Sequence, residues 1–189
     1  VTGRADLTEV RIRGTARASS RDLLDDIKIE ATRNGNQVDV RALMPELQNW
    51  RRNEQALLDL VIEVPQTLSI EIDDTSGDLT VESVSGRVRI EDNSGGIRVR
   101  DAGDVWISDS SGEIEVRSVT GSVDIDEDSS GEIEVYDVTG SVRIGRDSSG
   151  SIDVARVGGD FTVERDGSGS IDYGDVKGKV DIPRRRSHR

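Results

Sequence analysis

From Leu68 onward the chain alternates apolar and polar residues at period two in short runs, as in Glu113-Ile114-Glu115-Val116 and Ser122-Val123-Asp124-Ile125. That periodicity predicts half-buried β-strands, two per repeat. Aligned on one another, the runs give five apolar columns. The first is Leu79, Ile97, Ile114, Ile133, Ile152 and Ile171, and the second is Val81, Val99, Val116, Val135, Val154 and Tyr173. The third is Val84, Ala102, Val119, Val138, Val157 and Val176. Two more close each repeat: Val88, Val105, Val123, Val142, Phe161, Val180, and Ile90, Ile107, Ile125, Ile144, Val163, Ile182.

The tetrapeptide Asp-x-Ser-Gly punctuates these runs, starting at Asp74, Asp92, Asp109, Asp128, Asp147 and Asp166, with spacings of 18, 17, 19, 19 and 19 residues. A fixed period of this length marks a solenoid, in which each unit buries its apolar face only against its neighbours. A second glycine column, Gly86, Gly103, Gly121, Gly140, Gly159 and Gly178, follows the first by eight or nine residues. Both glycine columns are expected at corners, where glycine reaches positive φ without a Cβ penalty. The predicted fold is all-β: a parallel β-helix (β-solenoid), right-handed by the usual preference of parallel crossovers, with six regular coils of 17–19 residues over 68–183. Stacked at about 4.8 Å, six coils give a rod on the order of 30 Å long.

Residues 1–67 lack the tetrapeptide but keep strand periodicity, and are expected to cap or begin the solenoid within one structural domain. Val10 and Ile12 alternate with charges, and Ile27 and Ile29 precede Asn34-Gly35-Asn36, after which Val38 and Val40 resume, a hairpin or an irregular coil. Leu58, Leu60, Ile62 and Val64 predict another strand, ended by Pro65. Pro45 to Gln55 is the one non-strand insertion, a short helix or ordered loop in which Trp50 is a packing residue. Residues 184–189 form a basic tail; Pro183 and Arg184-Arg185-Arg186 discourage strand addition at that edge.

Charge changes the picture of the coils. Of the formal −13, residues 68–183 carry 27 acidic and 11 basic groups, a balance of −16. Such a surface repels nucleic-acid phosphates and anionic lipid and attracts cationic partners, and it also favours solubility. Aromatic residues make up only 3%, which argues against nucleic-acid binding by base stacking. Cysteine is absent, so disulfides and cysteine-ligated metal are excluded, and the one histidine, His188, sits in the tail. No apolar stretch reaches the length of a membrane span. The first residue is Val1, consistent with a processed form whose targeting segment has been removed.

The repeated aspartates admit two readings. As turn residues, Asp74, Asp92, Asp109, Asp128, Asp147 and Asp166 accept hydrogen bonds from backbone N–H groups two or three residues on. As a cation ladder they would need oxygens from neighbouring coils to reach the six to eight that calcium takes. Turn chemistry is the expectation, with no metal and no cofactor.

On the outward face of the first sheet, Glu113, Glu115, Glu132, Glu134, Asp153 and Asp172 cluster over four coils, with Arg98, Arg100 and Arg117 nearby. Stacked like charges destabilise. A cationic partner would relieve them, or the face is simply solvated. Trp106 projects outward between Val105 and Ile107, as a partner contact or under cover from the N-terminal region. Catalytic constellations are missing: there is no internal histidine, no cysteine nucleophile and no phosphate-binding glycine loop joining strand to helix.

The phrases Val119-Thr120-Gly121-Ser122-Val123-Asp124-Ile125 and Ser130-Gly131-Glu132-Ile133-Glu134-Val135, after Glu9-Val10-Arg11-Ile12-Arg13-Gly14, resemble the bacterial adhesin-like domain family of unknown function, cell-envelope β-solenoid repeat proteins. The resemblance covers most of the chain and implies a periplasmic or cell-surface setting, but transfers no binding or catalytic residue; the insertion around Trp50 has no counterpart in its pattern. Three functions follow as expectations. The first is a non-enzymatic binding module, monomeric or weakly oligomeric, whose acidic sheet meets a cationic peptide, a protein or a cation-bridged glycan. The second is a structural protein stacking end to end, and the third a carbohydrate-acting β-helix enzyme.

Overall fold

The computed structural model describes residues 1–45 and 54–183. The segment with Leu47 and Trp50, the arginines 184–186 and His188 lie outside the described residues. In chain order the elements are β1 (Thr2–Arg4), β2 (Arg11–Ala18), α1 (Arg21–Asp26), β3 (Lys28–Asn34), β4 (Gln37–Leu43), β5 (Ala56–Pro65), β6 (Ile70–Asp73) and β7 (Leu79–Glu82). They continue as β8 (Val88–Asp92), β9 (Ile97–Ala102), β10 (Val105–Asp109), β11 (Ile114–Val119), β12 (Val123–Asp128) and β13 (Ile133–Val138). The last are β14 (Val142–Asp147), β15 (Ile152–Val157), β16 (Phe161–Asp166), β17 (Ile171–Val176) and β18 (Val180–Asp181). The chain divides into two compact units, Val1–Leu7 with Val64–Arg189, and Thr8–Glu63.

The first unit is the parallel β-solenoid of about six turns that the period predicts. Its strands stack in two sheets, β17-β15-β13-β11-β9-β7-β1 and β18-β16-β14-β12-β10-β8-β6. Register follows the sequence columns: Ile114 lies opposite Ile97 and Ile133, and Val123 opposite Val105 and Val142. These columns are the core. Ile90, Ile107, Ile125, Ile144 and Phe161 are fully buried, and each such side chain contributes about 1.5–3 kcal/mol of hydrophobic free energy. β-Branched residues suit these stacked, pleated positions because their χ1 freedom is already restricted. The coils differ in length, and the pairing absorbs the difference: register shifts between Ile107 and Ser108 where β10 meets β12, so Ser108 faces Glu127. The extra residue of the longer coil becomes a bulge, and the corner aspartates stay in line.

The first coil is discontinuous in sequence. Thr2 of β1 pairs in parallel with Glu82 of β7, the Val1 ammonium donates to the Thr80 carbonyl at 2.5 Å, and Gln66 N–H donates to the Arg4 carbonyl at 3.0 Å. Burial pushes the Val1 ammonium below its ordinary pKa, against the nearby charge of Glu82. Residues 8–63 leave the coil and form the second unit. There β2 and β5 pair antiparallel from Arg11–Glu63 to Ala18–Ala56, and β3 and β4 form a hairpin turned at Gly35, whose φ is +62°. The short α1 is capped by Ser20, whose hydroxyl accepts from Leu23 N–H at 3.3 Å. A Cβ on Gly14 would stand 2.3 Å from Ile29 Cδ1 of β3, so this small residue lets strand and hairpin approach closely.

The two glycine columns hold for different reasons, which corrects the expectation of positive φ at both. Gly131 of the first column has φ +151°, and a Cβ there would fall 1.6 Å from the Gly112 carbonyl oxygen. Gly140 of the second column does not have positive φ; it is required by space, since its Cβ would lie 2.5 Å from the Gly121 carbonyl oxygen. The left-handed turn at that corner is made earlier in each coil by Ser83, Asp101, Ser118, Asp137, Arg156 and Asp175, all with φ between 53° and 60°. Aspartate is among the residues that enter this region more readily, whereas Arg156 does so against its β-carbon sterics.

Candidate functional site

The outward face of the first sheet brings four of the six predicted acidic residues, Glu115, Glu134, Asp153 and Asp172, into one ladder. Arg98, Glu115, Glu134, Asp153 and Asp172 stand on successive rungs of β9, β11, β13, β15 and β17. Rungs about 4.8 Å apart would set four carboxylates in a repelling row. Neighbouring arginines change that balance. Glu115 accepts from Arg98 Nε at 2.6 Å and from Arg100 Nη2 at 2.8 Å. Arg117 Nε lies 2.6 Å from Glu115 Oε1, close enough for an ion pair but not aligned as a hydrogen bond. Glu115 is only 7% exposed, yet its carboxyl is pulled down to about 2, chiefly by the Arg98 hydrogen bond with Arg100 and Arg117 adding to it, against the opposing effect of burial.

The ladder is held further along by mixed partners. Arg117 Nη2 donates to Glu134 Oε2 at 3.0 Å, and the Tyr136 hydroxyl donates to Asp153 Oδ2 at 2.7 Å. Burial, and then its bond to Asp153, pushes the Tyr136 phenol up to about 12. Arg117 and Arg156 both lie against the Tyr136 ring, at 5.0 and 5.2 Å from its centroid. Arg156 also pairs with Asp137 through two hydrogen bonds of 2.5 and 2.9 Å. Glu132 is exposed and accepts from the Ser151 hydroxyl at 3.0 Å; Glu113 and Asp172 are exposed as well. Glu115 thus lies inside the face, while Glu113, Glu132 and Asp172 lie on it. Tyr136 was missed by the charge pattern, although its outward position beside Arg117 follows from the two-residue alternation.

The second sheet's outward column is Arg89, Trp106, Asp124, Arg143, Thr162 and Asp181. The Arg89 guanidinium stacks over the Trp106 ring, 3.5 Å from its centroid. The group found on Trp106 is therefore the cation of the preceding coil. Arg143 bridges Asp124 at 2.7 Å and Glu164 at 2.8 Å. These bonds, the one to Glu164 being the stronger influence, raise its pKa further above the ordinary arginine value.

The corner aspartates combine turn geometry with burial. Asp92 Oδ1 accepts from Asn93 and Ser94 N–H at 2.7 and 3.3 Å; Asp109, Asp128 and Asp147 each accept from the N–H two residues on at 3.2 Å. Asp74 makes the same contacts at the first corner. Asp92, Asp109, Asp128 and Asp147 are buried, and the second oxygen of each has no hydrogen-bond partner; neither has Oδ1 of the half-buried Asp166. Among the described residues, no group of three or more histidine, cysteine or carboxylate side chains is arranged to hold a metal ion, and no helix is long and apolar enough to cross a membrane.

Compared with protein-family models, with curated proteins and with solved structures, the chain has no match.

Proposed function

We propose that this chain is a non-enzymatic, adhesin-like binding module of the bacterial cell envelope, periplasmic or cell-surface, that presents an acidic sheet face to a cationic peptide, a protein or a cation-bridged glycan. The observation that carries the reading is the in-register carboxylate ladder Glu134–Asp153–Asp172, flanked by exposed Glu113 and Glu132. Flatness suits a partner that lies along the sheet, since a small-molecule site needs concavity. Internal pairing narrows the patch. Glu115 is committed to three arginines, and Glu134 shares Arg117, so Glu113, Glu132 and Asp172 are the groups a partner meets first.

An oligolysine peptide titrated against the full chain tests this. Binding is expected to weaken with salt, and to fall about 2- to 30-fold when Glu132→Gln and Asp172→Asn are combined, because two rim charges each contribute roughly 0.2–1 kcal/mol and act together on one ligand. Undiminished binding by the double variant would remove the patch.

A second reading, end-to-end stacking, is favoured by one feature. The last coil continues the core columns with Tyr173 half exposed and Val180 exposed, where the equivalent residues of earlier coils are buried. Light scattering across concentration distinguishes the two: a constant monomer mass sets stacking aside.

A further inference from the structure

The inward corner column carries an inference independent of any binding partner. Asp92, Asp109, Asp128 and Asp147 are each at most 4% exposed, and each leaves one carboxylate oxygen buried without a donor. Strand register stacks them: Asp92 lies opposite Asp109, and Asp147 opposite Asp128 and Asp166. A buried polar atom without a partner is costly, and an ionised one more so. Four such groups on successive rungs about 4.8 Å apart would add mutual repulsion through an interior of low dielectric.

Among the described residues, no compensating cation faces the column. Around Asp128 stand Asp109 at the end of β10, Asp147 at the end of β14, the N–H groups of Ser129 and Ser130, and the apolar core. The basic side chains of the adjoining strand point outward and are engaged there: Arg143 with Asp124, Asp126 and Glu164, and Arg146 with Glu127. None of the ion pairs among the described residues involves Asp92, Asp109, Asp128 or Asp147. A proton is the ligand that needs only one oxygen per rung, whereas a metal needs several oxygens converging on one point.

We propose that the corner aspartates, centred on Asp128 between Asp109 and Asp147, form a buried proton-binding column, so that the solenoid unit folds with protons on this column and loses stability as rising pH removes them.

The direction of the carboxyl pKa values agrees with the geometry. Burial first, and then the charges of Asp109 and Asp147, push Asp128 up to about 7, and burial raises Asp92, Asp109 and Asp147 as well. For an acid whose folded pKa lies above its unfolded value, the folded state holds the proton that the unfolded state releases. Stability is therefore highest below the unfolded value near 4 and declines until the folded pKa is passed near 7.

The test is urea unfolding of the full chain from pH 5 to pH 8, with Asp128→Asn beside the parent and Asp73→Asn as an exposed control. The parent's unfolding equilibrium constant is expected to rise about 100-fold over that range. Asp128→Asn, which keeps an acceptor for Ser130 N–H and carries no charge, is expected to flatten that rise to about tenfold or less and to exceed the parent in stability at pH 8. The control should keep the parent's slope. A carbon-13 titration of the parent's side-chain carboxyls gives a direct reading independent of any variant, and at least one midpoint well above 5 is expected.

Three outcomes overturn the proposal. One is that every carboxyl titrates below about 4.5. Another is that Asp128→Asn loses the same stability at pH 5 and pH 8, which leaves an ionised turn residue only. The third is that millimolar calcium chloride stabilises the parent at pH 8 but not Asp128→Asn, which makes the column a cation site.

Discussion

Two carboxylate columns run along the solenoid at the same period and meet opposite fates. On the outward face of the first sheet, Glu115 is surrounded by Arg98, Arg100 and Arg117, and its carboxyl is drawn down to about 2. At the inner corner, Asp128 meets only backbone N–H groups and two other aspartates, and its carboxyl is driven up to about 7. Both side chains are buried. The difference lies in what stands one rung away. Stacking identical residues is costly when the repeat offers nothing else, and a repeat can escape that cost by varying the outward positions. The outer column has Arg98 one rung from Glu115 and draws on Arg100 and Arg117 from the flanking positions, whereas the inner one repeats aspartate because the turn needs it at every corner.

The largest expected effect breaks both columns at once. Gly131 keeps neighbouring corners at rung distance, and Gly131→Ala would drive a Cβ into the Gly112 carbonyl while straining φ. A loss of about 3–5 kcal/mol in urea unfolding is expected. A loss below 1 kcal/mol would show that the corner is not close-packed.

Removing one charge from the outer column separates it from the inner one. Glu115→Gln leaves three arginines facing one another, and a loss of about 1–2 kcal/mol is expected, held down by the partial exposure of those arginines. Its pH signature has the opposite sign to that of Asp128. A carboxyl with a lowered folded pKa contributes stability that is complete above its ordinary value near 4.5 and is lost as pH falls toward about 2. The parent should therefore be most stable in mild acid, near pH 4–5. Glu115→Gln should flatten the acid limb alone; equal flattening of both limbs would mean the columns are coupled.

The smallest effect concerns the other corner. Ser118 holds φ of 60°, a region that costs a residue with a Cβ about 1–2 kcal/mol. Ser118→Gly removes that strain and adds back some chain entropy, for a net gain of up to about 1 kcal/mol, measured as a higher melting temperature. A decrease would mean the serine side chain supports the turn.

Much of this was open to reading in the chain itself. Period-two alternation and the Asp-x-Ser-Gly spacing lead directly to stacked parallel strands, because only in-register stacking buries five apolar columns together. The hairpin at Asn34-Gly35 follows from turn chemistry in the same way. The acidic face was visible as composition, but its neutralisation depends on distances between rungs. The second glycine column holds without positive φ, contrary to its sequence pattern, because glycine has two reasons to be required, and sequence does not distinguish backbone angle from lack of space.

What the sequence determined by itself is the repeat: which residues face inward, where each coil turns, and that carboxylates recur at each corner. Those are local properties, set by side-chain alternation and turn preference within some 19 residues. Tertiary structure alone decided three things: that residues 8–63 leave the first coil as a separate unit, that Glu115 is enclosed by three arginines from two strands, and that the corner aspartates are sealed from water with one oxygen unpaired. Each depends on groups distant in sequence arriving at one place, and the charge state of a carboxylate is set by those neighbours rather than by the residue itself.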